Sequence, residues 1–204
     1  MVLAGTRGPI ARLVCALATG ALAVACAATP RAVSAAGDAY LPDVPLVGEH
    51  GDIIGAKELA ARSTLTVLVF FSPDCHCLSV HEPRLRALYD ADGPRGVQFV
   101  MIDSEVSGSP GRDAGEARRR GYPFPILIDR GGRLADALGA EYASHAVVVD
   151  SSARVHYRGG IDSDRTHLHD DRVPYLERAL DDLLEYREPR RAEGKTLGCA
   201  LQKW

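Results

Sequence analysis

Two cysteines one residue apart, Cys75 and Cys77, flank His76 just after the turn-forming stretch Ser72-Pro73-Asp74, and a third, Cys199, lies near the carboxyl end. Thiolates are nucleophiles, redox groups and soft metal ligands, so this arrangement points to sulfur chemistry. At the start of a helix, backbone N–H groups and the positive end of the helix dipole favour thiolate over thiol. Cys75 is expected to attack, with Cys77 as the resolving or second redox thiol. Buried structural thiols are the plainer alternative, but cysteines flanking a histidine beside a Pro-Asp turn are poorly placed for core packing.

The elements that must hold these thiols follow from the pattern. The uncharged, β-branched and aromatic run Thr66–Phe71 reads as a buried strand. A helical pattern follows the turn, with Leu78, Leu85, Leu88 and Tyr89 near one face and Pro83 expected to kink it. A second strand spans Val97–Asp103, and a charged helical segment runs from about Ala114 to Arg120. Further on come an apolar stretch Pro125–Asp129, a short helix with Leu134, Ala137 and Leu138, and a hairpin of Ala146–Asp150 with Arg154–Arg158. A last helix from Val173 to Tyr186 buries Leu176, Leu180, Leu183 and Leu184. Alternating strands and helices predict an α/β fold whose central mixed β-sheet is flanked by helices.

Composition narrows the class. The 204 residues carry a formal net charge of -3 and a pI near 6.2, so no global positive field attracts nucleic acid. Arg118-Arg119-Arg120 is read as a solvated helix face. Arg7 and Arg12 precede an uncharged run from Leu13 to Ala28, a secretory leader too short for a confident membrane span. Residues 1–35 are taken as a signal peptide. Cleavage near Val33-Ser34-Ala35 would release the protein, whereas Leu22-Ala23-Val24-Ala25-Cys26 resembles a lipobox that would tether it to a membrane through Cys26. Both outcomes place the chain in the cell envelope, periplasmic or otherwise outside the cytoplasm, where disulfides persist. Cys75, Cys77 and Cys199 are then the cysteines of the body of the chain, and an odd number suits exchange better than stapling.

The chain resembles the bacterial thioredoxin-like redoxins, which join thiol-disulfide oxidoreductases to the alkyl hydroperoxide reductase and thiol-specific antioxidant proteins. The resemblance rests on Phe70–Cys75, Pro83, Pro123-Phe124-Pro125 with Ile128-Asp129, Val147–Asp150, and Tyr157-Arg158-Gly159 with Ile161-Asp162. It implies a thioredoxin-like fold over residues 36–188, a tail at 189–204, and exchange with protein thiols or disulfides or with a membrane electron donor, with no cofactor required.

Two departures modify that expectation. Leu78 stands where the family's second cysteine would fall, and a Cys-x-Cys ring is strained, which predicts an oxidant or isomerase unless Cys77 only assists. Ser144 stands where the family carries a cis-proline, so its peptide is expected to be trans and the substrate groove formed with His145 and Pro73 altered. The change admits a second class of function, a copper or zinc chaperone of the same fold, with Cys75 and Cys77 joined by His76, His81 or His145. A peroxidase is the other alternative: Ser72 matches the peroxiredoxin loop, but Leu68 replaces its proline, and Arg112, Arg118 and Arg154 are the arginines available for a peroxide pocket. The ending Thr196–Leu201 resembles the Gly-Cys-hydrophobic tail of some redoxins, which implies either that Cys199 resolves a disulfide to Cys75 or that it is a free thiol on a flexible tail. The cluster His167, His169, Asp170 and Asp171 is read as solvated.

Overall fold

The computed structural model describes Met1 and residues 39–203, so the leader, its cleavage sites and Cys26 lie outside the described residues. The fully buried run Leu65–Phe71 forms a central strand, β3, after a small antiparallel pair, β1 (Pro45–Val47) and β2 (Ile53–Gly55), and a short helix, α1 (Ala56–Ala60). The chain turns into α2 (His76–Asp92) and returns along β4 (Val97–Asp103), which lies parallel to β3 with Leu68 opposite Val100. Helix α3 (Pro110–Arg120) leads to β5 (Ile126–Ile128), parallel to β4, and α4 (Arg133–Leu138) leads to β6 (His145–Asp150). Strand β6 runs antiparallel to β3 and pairs with β7 (Val155–Gly160) in the expected hairpin, before α5 (Tyr175–Leu184).

The sheet order is β2-β1-β5-β4-β3-β6-β7, a mixed sheet whose middle strands are mostly apolar and buried because both their faces are covered. The core joins Phe70, Leu68, Met101, Ile102, Val147 and Val148 from the sheet to Leu78 and Leu85 of α2 and Leu176 and Leu180 of α5. Among the described residues, no helix is long and apolar enough to cross a membrane.

Helix α2 holds Pro83 in its interior and runs on to Asp92. Other local details differ from the sequence expectation. Helix α3 starts at Pro110, whose missing N–H costs nothing in the first turn. Helix α5 begins two residues later than expected, after Pro174. The triple arginine does not form a uniformly solvated face. Arg118 and Arg119 are exposed, but the Arg120 side chain is only 9% exposed, and its guanidinium lies 5.6 Å from the Phe71 ring centroid and pairs with Glu82 and Glu116.

One buried polar network ties α2 to the segment after β7. His81 Nε2 lies 2.9 Å from Asp162 Oδ1, which also accepts from the Asp164 N–H at 2.8 Å, while Arg84 contacts both Asp162 and Asp164. Asp164 in turn meets His169 Nδ1 at 3.0 Å, so that histidine belongs to the network's rim although its side chain is exposed. Burial alone would raise the Asp162 carboxyl, but hydrogen bonds from His81 and the Asp164 N–H hold it below the usual carboxylate range. Its contribution is therefore present at neutral pH and lost as acid protonates it. Asp162→Ala would leave His81 and Arg84 without their buried counter-charge, a change that costs about 3–5 kcal/mol. Urea unfolding of the variant at neutral pH should show a loss of that size; a loss below about 1 kcal/mol would remove the network from the account of stability.

Candidate functional site

Strand β3 ends at Phe71, and the turn Ser72–Cys75 closes through a Cys75 N–H to Ser72 carbonyl bond of 3.2 Å. Cys75 then caps α2: its Sγ accepts from the Leu78 N–H at 3.3 Å, filling a donor that the first helical turn leaves unpaired. Arg120 steadies the turn from outside by donating to the Pro73 carbonyl. Cys77 sits within the first turn of α2, and both helix-end thiols are buried, Cys75 at 1% and Cys77 at 4% exposure. His76 between them points to solvent.

The third thiol arrives from the opposite end of the chain. After α5 the tail first runs beside the free edge of β7, with the Arg158 N–H donating to Ala192 and the Gly194 N–H donating to Arg158. That close approach needs Gly159, with φ of 144°, because a Cβ there would meet the Gly194 carbonyl oxygen at 2.1 Å. The tail then lies antiparallel to the loop before β6. The Ala143 N–H donates to the Cys199 carbonyl and the Leu201 N–H to the Glu141 carbonyl, each at 2.9 Å. Thr196 Oγ1 lies 3.1 Å from His145 Nδ1, and Lys203 Nζ lies 2.6 Å from Asp136 and donates to the Ala140 carbonyl at 3.2 Å.

This route brings the sulfurs of Cys75, Cys77 and Cys199 within 4.8 Å of one another, all three as free thiols. The histidines considered as their metal partners are placed otherwise. His81 faces Asp162 and the Cys77 carbonyl, and His145 faces Thr196, so neither joins the sulfur cluster. Burial pushes His145 down to about 4, which keeps its imidazole neutral at physiological pH. The arginines considered for a peroxide pocket are also engaged elsewhere: Arg112 with Asp103 and Asp113, Arg118 with Glu49, and Arg154 with Glu188. Ser144 has a trans peptide, as expected, and a φ of 69°, and its N–H donates to the Phe70 carbonyl at 2.9 Å. The loop before β6 is thereby tied to the strand that ends at the cysteines.

The electrostatics reverse the simple helix-dipole expectation. Burial, reinforced by the hydrogen bond and charge of the Cys199 thiol, pushes the Cys75 thiol up to about 11 against the lowering effect of the Leu78 N–H. Cys75 is a neutral thiol at pH 7, and its thiolate fraction grows with pH up to that value. Alkylation of Cys75 in the reduced protein should therefore accelerate about tenfold per pH unit between pH 7 and 10; a plateau below pH 8 would contradict the burial argument. The second dependence is steric. A Cβ on residue 198 would meet the Ala143 carbonyl oxygen at 1.9 Å and Ser144 Oγ at 2.9 Å. Gly198→Ala should lift the tail and expose Cys199, seen as faster labelling of that thiol at pH 7 with the thermal midpoint of the domain little changed.

No protein-family model matches the sequence, and no curated protein matches it. Solved structures do. An uncharacterized conserved protein from Geobacillus kaustophilus shares 27% identity with a TM-score of 0.71, over 81% of this chain and 90% of that one. A hypothetical protein from Sinorhizobium meliloti 1021 shares 22% identity with the same TM-score, over 81% and 93%. The thioredoxin domain of a thiol-disulfide oxidoreductase from Bacteroides vulgatus aligns at 12% identity with a TM-score of 0.51, over 65% and 91%. With the mixed sheet, the cysteine-capped helix after its central strand and these likenesses together, the chain has a thioredoxin-like fold.

Proposed function

We propose that the protein is a thiol-disulfide oxidoreductase of the cell envelope in which Cys75 attacks a client disulfide and Cys199, delivered by the tail, resolves the product. The observation that carries this reading is the convergence of Cys199 on Cys75 from a remote stretch of chain, their sulfurs within 4.8 Å of each other. The leader at residues 1–35 supports an envelope location, with protein disulfides as clients and an external or membrane-bound dithiol as the electron source.

The steps balance without a cofactor. Cys75, on giving up its proton, attacks one sulfur of the client disulfide, forming a mixed disulfide and releasing the other client sulfur as a thiolate. Cys199, deprotonated, attacks the Cys75 sulfur, which forms the Cys75–Cys199 disulfide and releases the second client thiolate. The two client sulfurs take up the two protons, so two electrons have passed from this chain to the client. The external dithiol then reduces the pair again. Cys77 lies beside both sulfurs, and this route does not require it to close the strained Cys-x-Cys ring.

Pairing between remote residues changes the expected poise. A buried disulfide that does not close a small ring lacks the strain that makes a bond easily opened, so the couple belongs with reductants rather than with oxidants. Redox titration with peptide mapping should find Cys75 linked to Cys199 with a midpoint below about −220 mV. With Cys199→Ser, the mixed disulfide between Cys75 and a client should accumulate instead of turning over. Three thiols that stay free from roughly −120 to −320 mV would refute the proposal.

A further inference from the structure

We infer that Cys75, Cys77 and Cys199 together form a three-sulfur binding site for a single Cu(I) ion. This site is independent of the exchange reading, because it needs only the three reduced sulfurs and no client. Their mutual separations of at most 4.8 Å are close to what one metal demands. Metal–sulfur bonds of about 2.3 Å in a flat trigonal array place the sulfurs about 4 Å apart, so closing on an ion takes less than about 1 Å per pair.

The donor set selects the metal. All three ligands are soft sulfurs, which favour Cu(I), Zn(II) or iron–sulfur clusters over hard cations. Among the described residues no histidine, carboxylate or further cysteine joins the cluster. A structural zinc site calls for four ligands in a tetrahedron, so three sulfurs alone leave it incomplete. Three-coordinate Cu(I) needs no fourth ligand and fits three sulfurs of which Cys75 and Cys77 are buried and Cys199 partly so. The Leu78 N–H on Cys75 Sγ and the amino end of the 17-residue helix α2 offset the negative charge of the thiolates.

Binding moves no electron. Copper enters as Cu(I), three Cu–S bonds form, and the thiol protons leave to the buffer. Two of the ligands lie at the start of α2 and the third on the tail, so the ion also clasps the tail to the domain. A Cys75–Cys199 disulfide and a bound ion exclude each other.

The test titrates the full-length reduced protein with Cu(I) under anaerobic conditions against bicinchoninate as competitor. One equivalent should be retained, with a sulfur-only shell in X-ray absorption. Cys199→Ser should weaken retention by at least the roughly 10- to 100-fold typical of losing a supporting group. Gly198→Ala, which keeps all three thiols but displaces the tail, should weaken it as well, with circular dichroism reporting that both variants are folded. Failure to retain copper against the competitor, or retention unchanged in both variants, overturns the site. Retained copper alongside a failed redox titration would refute the exchange reading alone, and the reverse result would remove only the copper site.

Discussion

The pairing of Ala143 with Cys199 is the contact on which both uses proposed for the thiols depend. Without it the chain has two thiols at the start of a helix; with it a third sulfur from the far end of the sequence lies among them. The contact needs two backbones to approach more closely than side chains allow, and Gly198 supplies the missing volume on the tail. On the other side, Ser144 accepts a φ of 69° that costs most residues energy, and its N–H bond to Phe70 holds it there. The same loop that begins β6 is thus tied to β3 on one flank and to the tail on the other.

Burial rather than the helix dipole governs the Cys75 thiol. The dipole and the Leu78 N–H act on Cys75 in the direction expected for an activated nucleophile, but an N-terminal helix charge contributes only about 0.3–1 kcal/mol when exposed and up to about 2 kcal/mol when partly buried. Removing the sulfur from water and setting a second thiol against it outweighs that. Cys75 is consequently a poor nucleophile toward solvent electrophiles at neutral pH. The Cys199 carbonyl and the Leu201 N–H are already paired with Ala143 and Glu141, so the approach of Cys199 to Cys75 is aligned by backbone bonds rather than by diffusion of a loose end.

Much of this architecture was legible in the residues. The strands β3, β4 and β6 announce themselves by apolar, β-branched runs, and the position of Cys75 at the strand-to-helix junction follows from Pro73-Asp74 and the helical spacing after it. The trans peptide at Ser144 followed from the absence of proline. Contacts between distant segments were not legible. Asp162 reads as a polar residue near a turn, and only the fold shows that it neutralises His81 and Arg84 from some 80 positions away. Arg120 looks like its two neighbours, but helical rotation turns it inward onto Phe71 and the Pro73 carbonyl. The one available hint was Glu116, four residues earlier, which shares the inward-facing stripe. The tail shows no hydrophobic period, so its route is written in Gly159 and Gly198, whose meaning appears only when the partner backbone is known.

The three-sulfur cluster sets one constraint on both uses proposed for it. Each sulfur has a single bonding position to give, so a state that stores two electrons in a Cys75–Cys199 bond has no site for copper, and a state that holds copper has no free thiolate to attack a disulfide. Reduction opens the metal site and oxidation closes it. The tail is common to both states, because the Ala143–Cys199 pairing that presents the resolving thiol also presents the third ligand. The choice between them therefore lies in the redox state of the surroundings and the supply of Cu(I), without a change of fold. A structure in which the tail stood away from residues 141–143 would lose both functions together, which makes the backbone pairing, more than any one cysteine, the feature that couples them.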